Sequence, residues 1–275
     1  MRKHFIDILK DHKIDIKKEY HTLFRMIYFD EELEFKGEYS YYNDVDECFC
    51  SIWFRGTAIS LEDFESKYDI NFLEYPSDFD IDDFIFFCEF WYNMSLAVRS
   101  ELRHNYTRYS PNFIIEQIDN IIEKIYYKII YKEDIAVFIP LNLEAIEAAE
   151  IVEEYSFEIL FYNHHSLKGD LKKKRELLIK FSDYLEPKRS ILRNINKKFE
   201  SDLFQLLNKM NIRHNNIDKN DKGNYIPFVS KMKPSELEHW YDEIYQMYLL
   251  AVLKLKHFDR SEKLEILINN INVKA

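Results

Sequence analysis

The sequence predicts a mostly α-helical protein, and three observations support this. Glycine occurs only four times and proline six times in 275 residues, which disfavours turn-rich β-sandwiches and barrels and suits long helices with few connections. Hydrophobic residues make up 47% of the chain, enough for one large core or two modest ones. Along most of the chain these residues recur at helical spacing. We therefore expect a helical bundle.

The N-terminal half is predicted to be largely helical. It opens with one or two amphipathic helices, in which apolar residues recur every three or four positions. A long helix is predicted from Asp78 to about Tyr106, because acids at its start and arginines at its end suit the helix dipole. Another begins at Pro111 and continues to about residue 132 along a stripe of isoleucines. Because the link between them is short, these two helices are expected to be antiparallel.

Two stretches of the N-terminal half are predicted to be non-helical. The segment CFCSIWF at 48–54 is rich in residues that favour strands, so we expect a small β-hairpin or an extended insertion near 45–60. Ser60 follows as the N-cap of a short helix. Residues 135–142 form a short strand or an extended link, because Pro140 is incompatible with a helix centre.

The C-terminal half is predicted as a series of helices. The first covers 143–165, the second covers the basic segment around 171–185, and Pro187 opens a third. The polar run at 218–225 is the clearest loop in the chain. Pro234 then begins a helix with an apolar face, so that the last third forms a helical hairpin.

If the chain forms two domains, the boundary is predicted near residue 140. Residues 1–140 would then be a helical region with an acidic insertion, and 141–275 a helical bundle; a single packed domain is the alternative. Charge is distributed unevenly along the chain. Residues 30–83 hold 17 Asp/Glu and 3 Lys/Arg, whereas 168–198 hold 11 Lys/Arg and 4 Asp/Glu. Each of these two surfaces could attract the other or a partner.

Several classes of function are disfavoured by composition. The four glycines are too far apart for a P-loop, a dinucleotide-binding turn or a nucleophile elbow. The net charge of −11 argues against a general nucleic-acid coat. No ligand cluster with recognisable spacing is present, so neither a cofactor nor a metal is expected. His164 and His165, for example, are adjacent and would point apart on a helix.

The predicted compartment is the cytoplasm. Three cysteines, Cys48, Cys50 and Cys88, are an odd number without a disulfide framework, and the start of the chain does not resemble a signal peptide. The most apolar stretch, 84–98, is shorter than a bilayer span and contains Glu89. No membrane association is expected.

The tripeptide Arg-His-Asn occurs twice, at 103–105 and at 213–215. Arg presents a planar fork of donors to phosphate, His can exchange a proton near neutral pH, and Asn both donates and accepts hydrogen bonds. Such groups can cleave RNA without a metal, with His removing the proton of the 2′-hydroxyl and Arg stabilising charge on the phosphate. The candidate catalytic residues are Arg99, His104, Arg213 and His214. The candidate substrate-binding residues are Arg103, Asn105, Asn215, Asn216, Lys172, Lys173, Lys174 and Arg175.

A helical hairpin with an Arg-plus-polar cluster at its bend resembles the HEPN superfamily, a group of small helical bundles common in prokaryotic toxin and anti-phage systems. The resemblance implies a metal-independent RNase that acts as a dimer, with a motif of Arg, four to six residues, then His. Arg99 and His104 match this motif, and Ser100 matches the polar residue that often follows the Arg. The cluster at Arg213 departs from it, because the next histidine is His214. The resemblance implies a catalytic pair at the first cluster or a variant pair at the second.

The same residues also have a structural interpretation. A polar cluster that ends a helix often forms a C-cap, here with Asn215 or Asn216 in the left-handed conformation and Arg213 paired with Glu238 or Asp242. The basic segment can equally be a solvated face balanced by acids.

Two functions therefore remain open. The first is an RNase of prokaryotic defence or of a toxin–antitoxin pair. The alternative is a non-catalytic helical scaffold or regulator that binds a partner protein or RNA. A homodimer is expected, as the resemblance implies, and most of the 20 Tyr and 22 Phe side chains are expected in the core or in a dimer interface. An antitoxin, another protein or RNA is the other expected partner.

Overall fold

The computed structural model describes residues 14–29, 40–72, 75–76, 78–102 and 109–272. The chain divides into two compact units, Met1–Leu141 and Asn142–Ala275. Each unit has its own hydrophobic core. The prediction of a mostly α-helical protein with a small hairpin is confirmed.

The first unit contains five α-helices and one β-hairpin within its described residues. In chain order they are α1 (Ile16–Tyr28), α2 (Tyr41–Glu47), α3 (Leu61–Lys67), α4 (Ile81–Val98), α5 (Pro111–Lys124), β1 (Tyr127–Lys132) and β2 (Ile135–Pro140).

Helix α4 lies at the centre of this unit because most of its surface is apolar. Its start is fixed by a capping box, in which the Asp80 carboxylate accepts hydrogen bonds from the Asp82 and Asp83 amides, and Asp83 caps the Asp80 amide in return. Phe84, Trp91 and eight other side chains of the helix are buried. The predicted extension of this helix to Tyr106 is not observed, because the helix ends at Val98 and residues 103–108 lie outside the described residues.

The hairpin lies at 127–140, and not near 45–60. The helix predicted from Pro111 to residue 132 ends at Lys124. Tyr126 adopts a positive φ of 60°, which a helix cannot continue through. The following residues, YKIIYK, are β-branched or aromatic at most positions and pair with β2 in antiparallel register, as strand preferences favour.

The outer edge of β2 is closed by side chains of α4. Asn93 donates to the Ala136 carbonyl and accepts from the Ala136 amide, at 2.9 and 2.8 Å, and Glu89 accepts from the Phe138 amide at 2.6 Å. The next residue with the same orientation is Pro140, which has no N–H group. The edge therefore has no free amide donor at these positions, and an open strand edge would otherwise favour pairing with other chains.

The segment near 45–60 is helical and irregular, and it contains no strand. α2 ends at Glu47, and a 3₁₀ turn follows at Phe49–Ser51. Val45, Phe49 and Ile52 are buried, and their spacing of four and three residues is helical. The strand-favouring composition of 48–54 was therefore misleading. The predicted helix after Ser60 is observed as α3, with Ser60 as its N-cap.

The second unit consists of further helices. They are α6 (Leu143–Ile151), α7 (Ser156–Phe161), α8 (Leu171–Leu185), α9 (Arg189–Ile195), α10 (Lys197–Lys209) and α11 (Pro234–Asn272), with short 3₁₀ turns between several of them. The single helix predicted for 143–165 is broken at Val152, and the helix predicted after Pro187 is broken at Asn196, whose side chain caps α10.

Aromatic stacking on α11 organises the core of the second unit. The rings of Tyr245 and Tyr162 are stacked with centroids 4.1 Å apart, and those of Tyr248 and Phe181 are stacked at 4.5 Å. The buried Tyr245 hydroxyl donates to the Ile159 carbonyl at 2.7 Å, and burial raises the pKa of this phenol. These contacts join α11 to α7 and α8.

None of the helices in the described part of the chain has a stretch long and apolar enough to span a membrane.

Substitution of Asn93 by leucine is expected to destabilise the first unit by about 2 kcal/mol, because it leaves buried backbone groups of Ala136 without partners. Chemical denaturation would measure this change. Asn120→Ala is the matched control: Asn120 is exposed and bonds only within its own helix, so a change within about 0.5 kcal/mol is expected. Equal effects of the two substitutions would contradict this role of Asn93.

Candidate functional site

The cluster after α10 is held together by two asparagines. Asn211 adopts a positive φ of 58° and ends the helix. Its amide donates to the Asn216 side chain at 2.8 Å, and the Asn216 amide donates to the Asn211 side chain at 3.2 Å. Asn216 also donates to the Asn224 carbonyl at 2.7 Å and is 2% exposed. Asn216 therefore has a structural role, and the left-handed residue is Asn211 instead of Asn215 or Asn216.

Arg213 forms an ion pair inside the unit. Its guanidinium donates to the Glu186 carboxylate at 2.6 Å, instead of to Glu238 or Asp242. His214 and Asn215 are exposed, and their side chains have no hydrogen bonds in the described part of the chain. A phosphate at this cluster would have to displace Glu186 from Arg213, which weakens the case for this cluster as a catalytic site.

The first cluster is described only in part. Arg99 and Ser100 directly follow α4 and are exposed. Within the described residues, the Arg99 guanidinium has no ion pair. Arg103, His104 and Asn105 lie outside the described residues, so the pairing of Arg99 with His104 remains a prediction.

The basic segment on α8 divides into exposed and buried cations. Lys172 and Lys173 are exposed, whereas Lys174 is 6% exposed. The Lys174 ammonium donates to Glu238 at 2.8 Å and to Asp242 at 2.7 Å, both on α11. Lys174 therefore links two helices and is not available to a substrate.

Arg175 has a similar structural role to that of Lys174. The Arg175 guanidinium is half-buried and donates to the Ile212 carbonyl at 3.1 Å, which supports the turn after α10. Of the four basic residues of α8 that were predicted to contact a substrate, only Lys172 and Lys173 are fully exposed.

Other cations of the segment 168–198 are also neutralised within the unit. Arg189 and Arg193 both donate to Glu200, which is 2% exposed. Hydrogen bonds from Arg193 and Arg189 lower the pKa of Glu200, although burial opposes this effect. Lys180 pairs with Glu158 at 3.0 Å. These ion pairs neutralise several cations of the basic segment, which agrees with the interpretation of a face balanced by acids.

The net negative charge belongs to the first unit. Residues 1–141 hold 16 Lys/Arg and 28 Asp/Glu. Residues 142–275 hold the other 22 Lys/Arg and 21 Asp/Glu. The second unit is therefore close to neutral, and many of its cations have carboxylate partners nearby. Neither unit as a whole has the positive charge that sequence-independent binding to nucleic acid requires.

The most distinctive surface of the second unit is the end of α11, which we call the apolar end. Leu264, Leu267, Ile268 and Ile271 lie on one face, and each is between 52% and 61% exposed. Leu267, Ile268 and Ile271 follow Leu264 by three, four and seven positions, which places all four on the same stripe of the helix. Ile266 is 63% exposed but lies on the opposite side. The helical spacing of these residues is visible in the sequence, but no site was predicted at this segment.

The apolar end differs from the first part of the same helix. Tyr241, Ile244 and Val252 are buried in the core of the unit, whereas every described side chain from 259 onward is exposed. At 1.5 Å per residue, this exposed segment extends about 20 Å. Exposed apolar patches of this kind are typical of protein interaction sites.

Comparison of the chain with protein-family models, with curated proteins and with solved structures finds no match.

Substitution of Lys174 by alanine is expected to destabilise the second unit by about 2 kcal/mol, because it leaves two carboxylates of α11 without their cation. Lys172→Ala is the matched control, because Lys172 lies on the same helix and is exposed. This substitution should change the free energy of unfolding by less than about 0.5 kcal/mol. Chemical denaturation of both variants would measure these differences.

The effect of Lys174→Ala should also depend on pH. Burial would raise the pKa of Glu238, but the Gly169 amide and Lys174 lower it to below its ordinary value of 4.5. A carboxyl with a lowered folded-state pKa stabilises the protein above its unfolded-state pKa and loses this effect as pH falls. The difference between wild type and variant should therefore shrink on acidification below about pH 4.5; a constant difference would contradict the ion pair.

Proposed function

We propose that the protein functions by binding and not by catalysis, as a helical scaffold that self-associates through the apolar end of α11. The observation that carries this proposal is a face of four large aliphatic side chains on a helical segment in which every described side chain is exposed. A helical segment of this length is marginal in water without a partner. Pairing would bury the exposed face and stabilise the segment.

The partner we propose is a second copy of the same helix. In a heptad pattern, Leu264 and Ile271 occupy d positions and Ile268 occupies the a position between them. Arg260 then falls at g and Glu265 at the following e. In a parallel pair, these two residues face each other across the interface with opposite charges, which is how e and g positions select partners.

An antiparallel pair fits the charges less well. Antiparallel helices place e positions near e positions and g near g, so that Glu265 of one chain lies close to Glu265 of the other. Like charges at such positions are destabilising. The distribution of charge beside the apolar face therefore supports a parallel, two-fold homodimer, as in a short coiled coil.

Leu264→Asp is expected to abolish self-association, whereas Ile266→Asp is not. Leu264 and Ile266 are both large, exposed aliphatic residues, two positions apart on the helix. Only Leu264 lies on the apolar face. Sedimentation velocity of wild type and of both variants would measure the dimer fraction over a range of concentrations. The proposal predicts at least a tenfold weaker dimer for Leu264→Asp alone; a wild-type monomer at all concentrations, or equal effects of the two substitutions, would contradict it.

Disulfide crosslinking of a cysteine variant reports the orientation of the two helices. Cys48 is half-buried and Cys50 exposed, so both are replaced by serine before Leu264→Cys is introduced. A parallel pair brings the two copies of position 264 together and should oxidise to a disulfide-linked dimer. In an antiparallel pair, position 264 lies opposite position 268, and little crosslinking is expected.

A second candidate function is the metal-independent RNA cleavage that the resemblance to HEPN proteins implies. It is favoured by one observation, the exposed Arg99 guanidinium without an ion pair in the described part of the chain. Such a group is free to bind a phosphate.

RNA cleavage is tested with purified protein, a mixed RNA pool and a chelator. This function predicts degradation that persists with the chelator and falls at least a hundredfold in Arg99→Ala and in His104→Ala, since each residue would act on the reacting phosphate or its hydroxyl. His214→Ala distinguishes the second cluster from the first. Intact RNA after incubation with wild type would exclude this candidate and leave the scaffold proposal unaffected.

A further inference from the structure

We propose that the exposed face of α1 is a binding site for a nucleoside phosphate. The site consists of His21 and Arg25, which lie one helical turn apart, and of the aromatic rings of Phe29, Tyr75 and Tyr109 around them. This site lies in the first unit and is independent of the apolar end of α11.

Two adjoining cavities define the site. The first, of about 280 Å³, is lined by His21, Phe24, Arg25, Phe29 and Tyr75. The second, of about 260 Å³, shares His21, Arg25 and Phe29 with the first and is also lined by Thr22, Met26 and Tyr109. Arg25 therefore borders both cavities, and a ligand with two chemically different parts could occupy one with each part.

The cations of α1 are free to bind an anion. Lys17, Lys18, His21 and Arg25 are all exposed, and within the described residues none of their side chains forms an ion pair. This is unexpected in a unit with 28 Asp/Glu and 16 Lys/Arg, where carboxylate partners are abundant. In the second unit, by contrast, many cations are paired. An unpaired Arg with a His one turn away can bind a phosphate through several donors.

The aromatic rings beside Arg25 are held in place by the core of the unit. The Tyr75 hydroxyl donates to the Lys17 carbonyl at 3.1 Å, and the Tyr75 ring packs edge-on against His21 with centroids 5.3 Å apart. Tyr109 is stacked on Phe113 at 5.3 Å. Rings fixed in this way lose little conformational entropy when a planar group stacks on them.

The helix itself explains why these groups share one surface. Tyr20, Leu23, Phe24, Ile27 and Tyr28 are buried in the core of the first unit, and they occupy one side of α1. Lys18, His21 and Arg25 consequently face away from the core, and Phe29, directly after the helix, packs against the edge of the core. The site thus combines a fixed helical backbone, cationic donors and aromatic faces.

These properties together specify the class of ligand. A phosphate matches the Arg25 fork, and a planar base matches the aromatic rings, because base–aromatic stacking tolerates any base. Each cavity is large enough for a base or a phosphate-bearing sugar. A free nucleotide and the terminal nucleotide of an RNA strand offer the same chemistry, and the experiment distinguishes them.

Isothermal titration calorimetry of the full chain with adenosine monophosphate tests the site. Binding should be at least tenfold weaker for adenosine and for inorganic phosphate, since each has only half of the recognised groups. Arg25→Ala should weaken the nucleotide at least tenfold. Lys128→Ala, which removes another exposed cation of the same unit, should leave binding unchanged and is the matched control.

A second variant separates loss of recognition from loss of folding. Arg25→Lys keeps the charge but not the planar fork, so intermediate binding is expected with an unchanged unfolding transition. A 5′-phosphorylated RNA oligomer that binds more tightly than the mononucleotide would assign the site to an RNA end, and the opposite order would assign it to a free nucleotide. Undetectable binding of both ligands at millimolar concentration would overturn the proposal, as would equal affinity for adenosine or an unaffected Arg25→Ala variant.

Discussion

Burial of one face of α11 holds the second unit together. Between Leu237 and Val252 this helix packs its aromatic residues against α7 and α8. Lys174 of α8 also pairs with two carboxylates of α11. The helix continues well beyond the last residue that this core can bury. The unpartnered apolar end is thus a direct consequence of a helix that is longer than the unit it stabilises.

The use of charge differs between the two units. In the second unit, Arg189, Arg193 and Lys174 neutralise buried or half-buried carboxylates, and Arg213 neutralises Glu186. Because an isolated buried carboxylate is costly, the cations beside Glu200 and Glu238 stabilise the second unit, and all four cations are engaged in ion pairs. In the first unit acids are in excess, yet the cations of α1 are exposed and unpaired within the described residues. This contrast suggests that α1, and not the basic segment, is the surface where an anion binds.

Periodicity predicted where most helices lie, but it did not predict where they end or break. The helix that begins at Pro234 and the cap at Ser60 followed from local rules. A short strand, one of the two alternatives predicted for 135–142, is observed as β2. Its partner β1 was missed because Ile125 and Ile129 continue the stripe of α5, and only the left-handed Tyr126 separates helix from strand. Such a residue has no sequence signature, since it is imposed by the pairing of β1 with β2.

The candidate sites were harder to predict than the fold. Arg213 was recognised as a possible ion-pair donor, but its partner Glu186 is 27 residues away in sequence and could not be identified without the tertiary structure. Burial of Lys174 was equally hidden, because its neighbours Lys172 and Lys173 are exposed. A run of like charges does not reveal which member points to the core. Conversely, the stripe at 264–271 was readable from spacing alone.

Amide hydrogen exchange of residues 259–272, followed as a function of protein concentration, tests the central claim most directly. A helical end that packs on nothing should exchange rapidly, whereas a paired helix is protected. Self-association predicts that protection of this segment increases with concentration, while that of the core residues of α11 stays constant. Rapid exchange at every concentration would contradict the proposal that the apolar end of α11 pairs with a second copy.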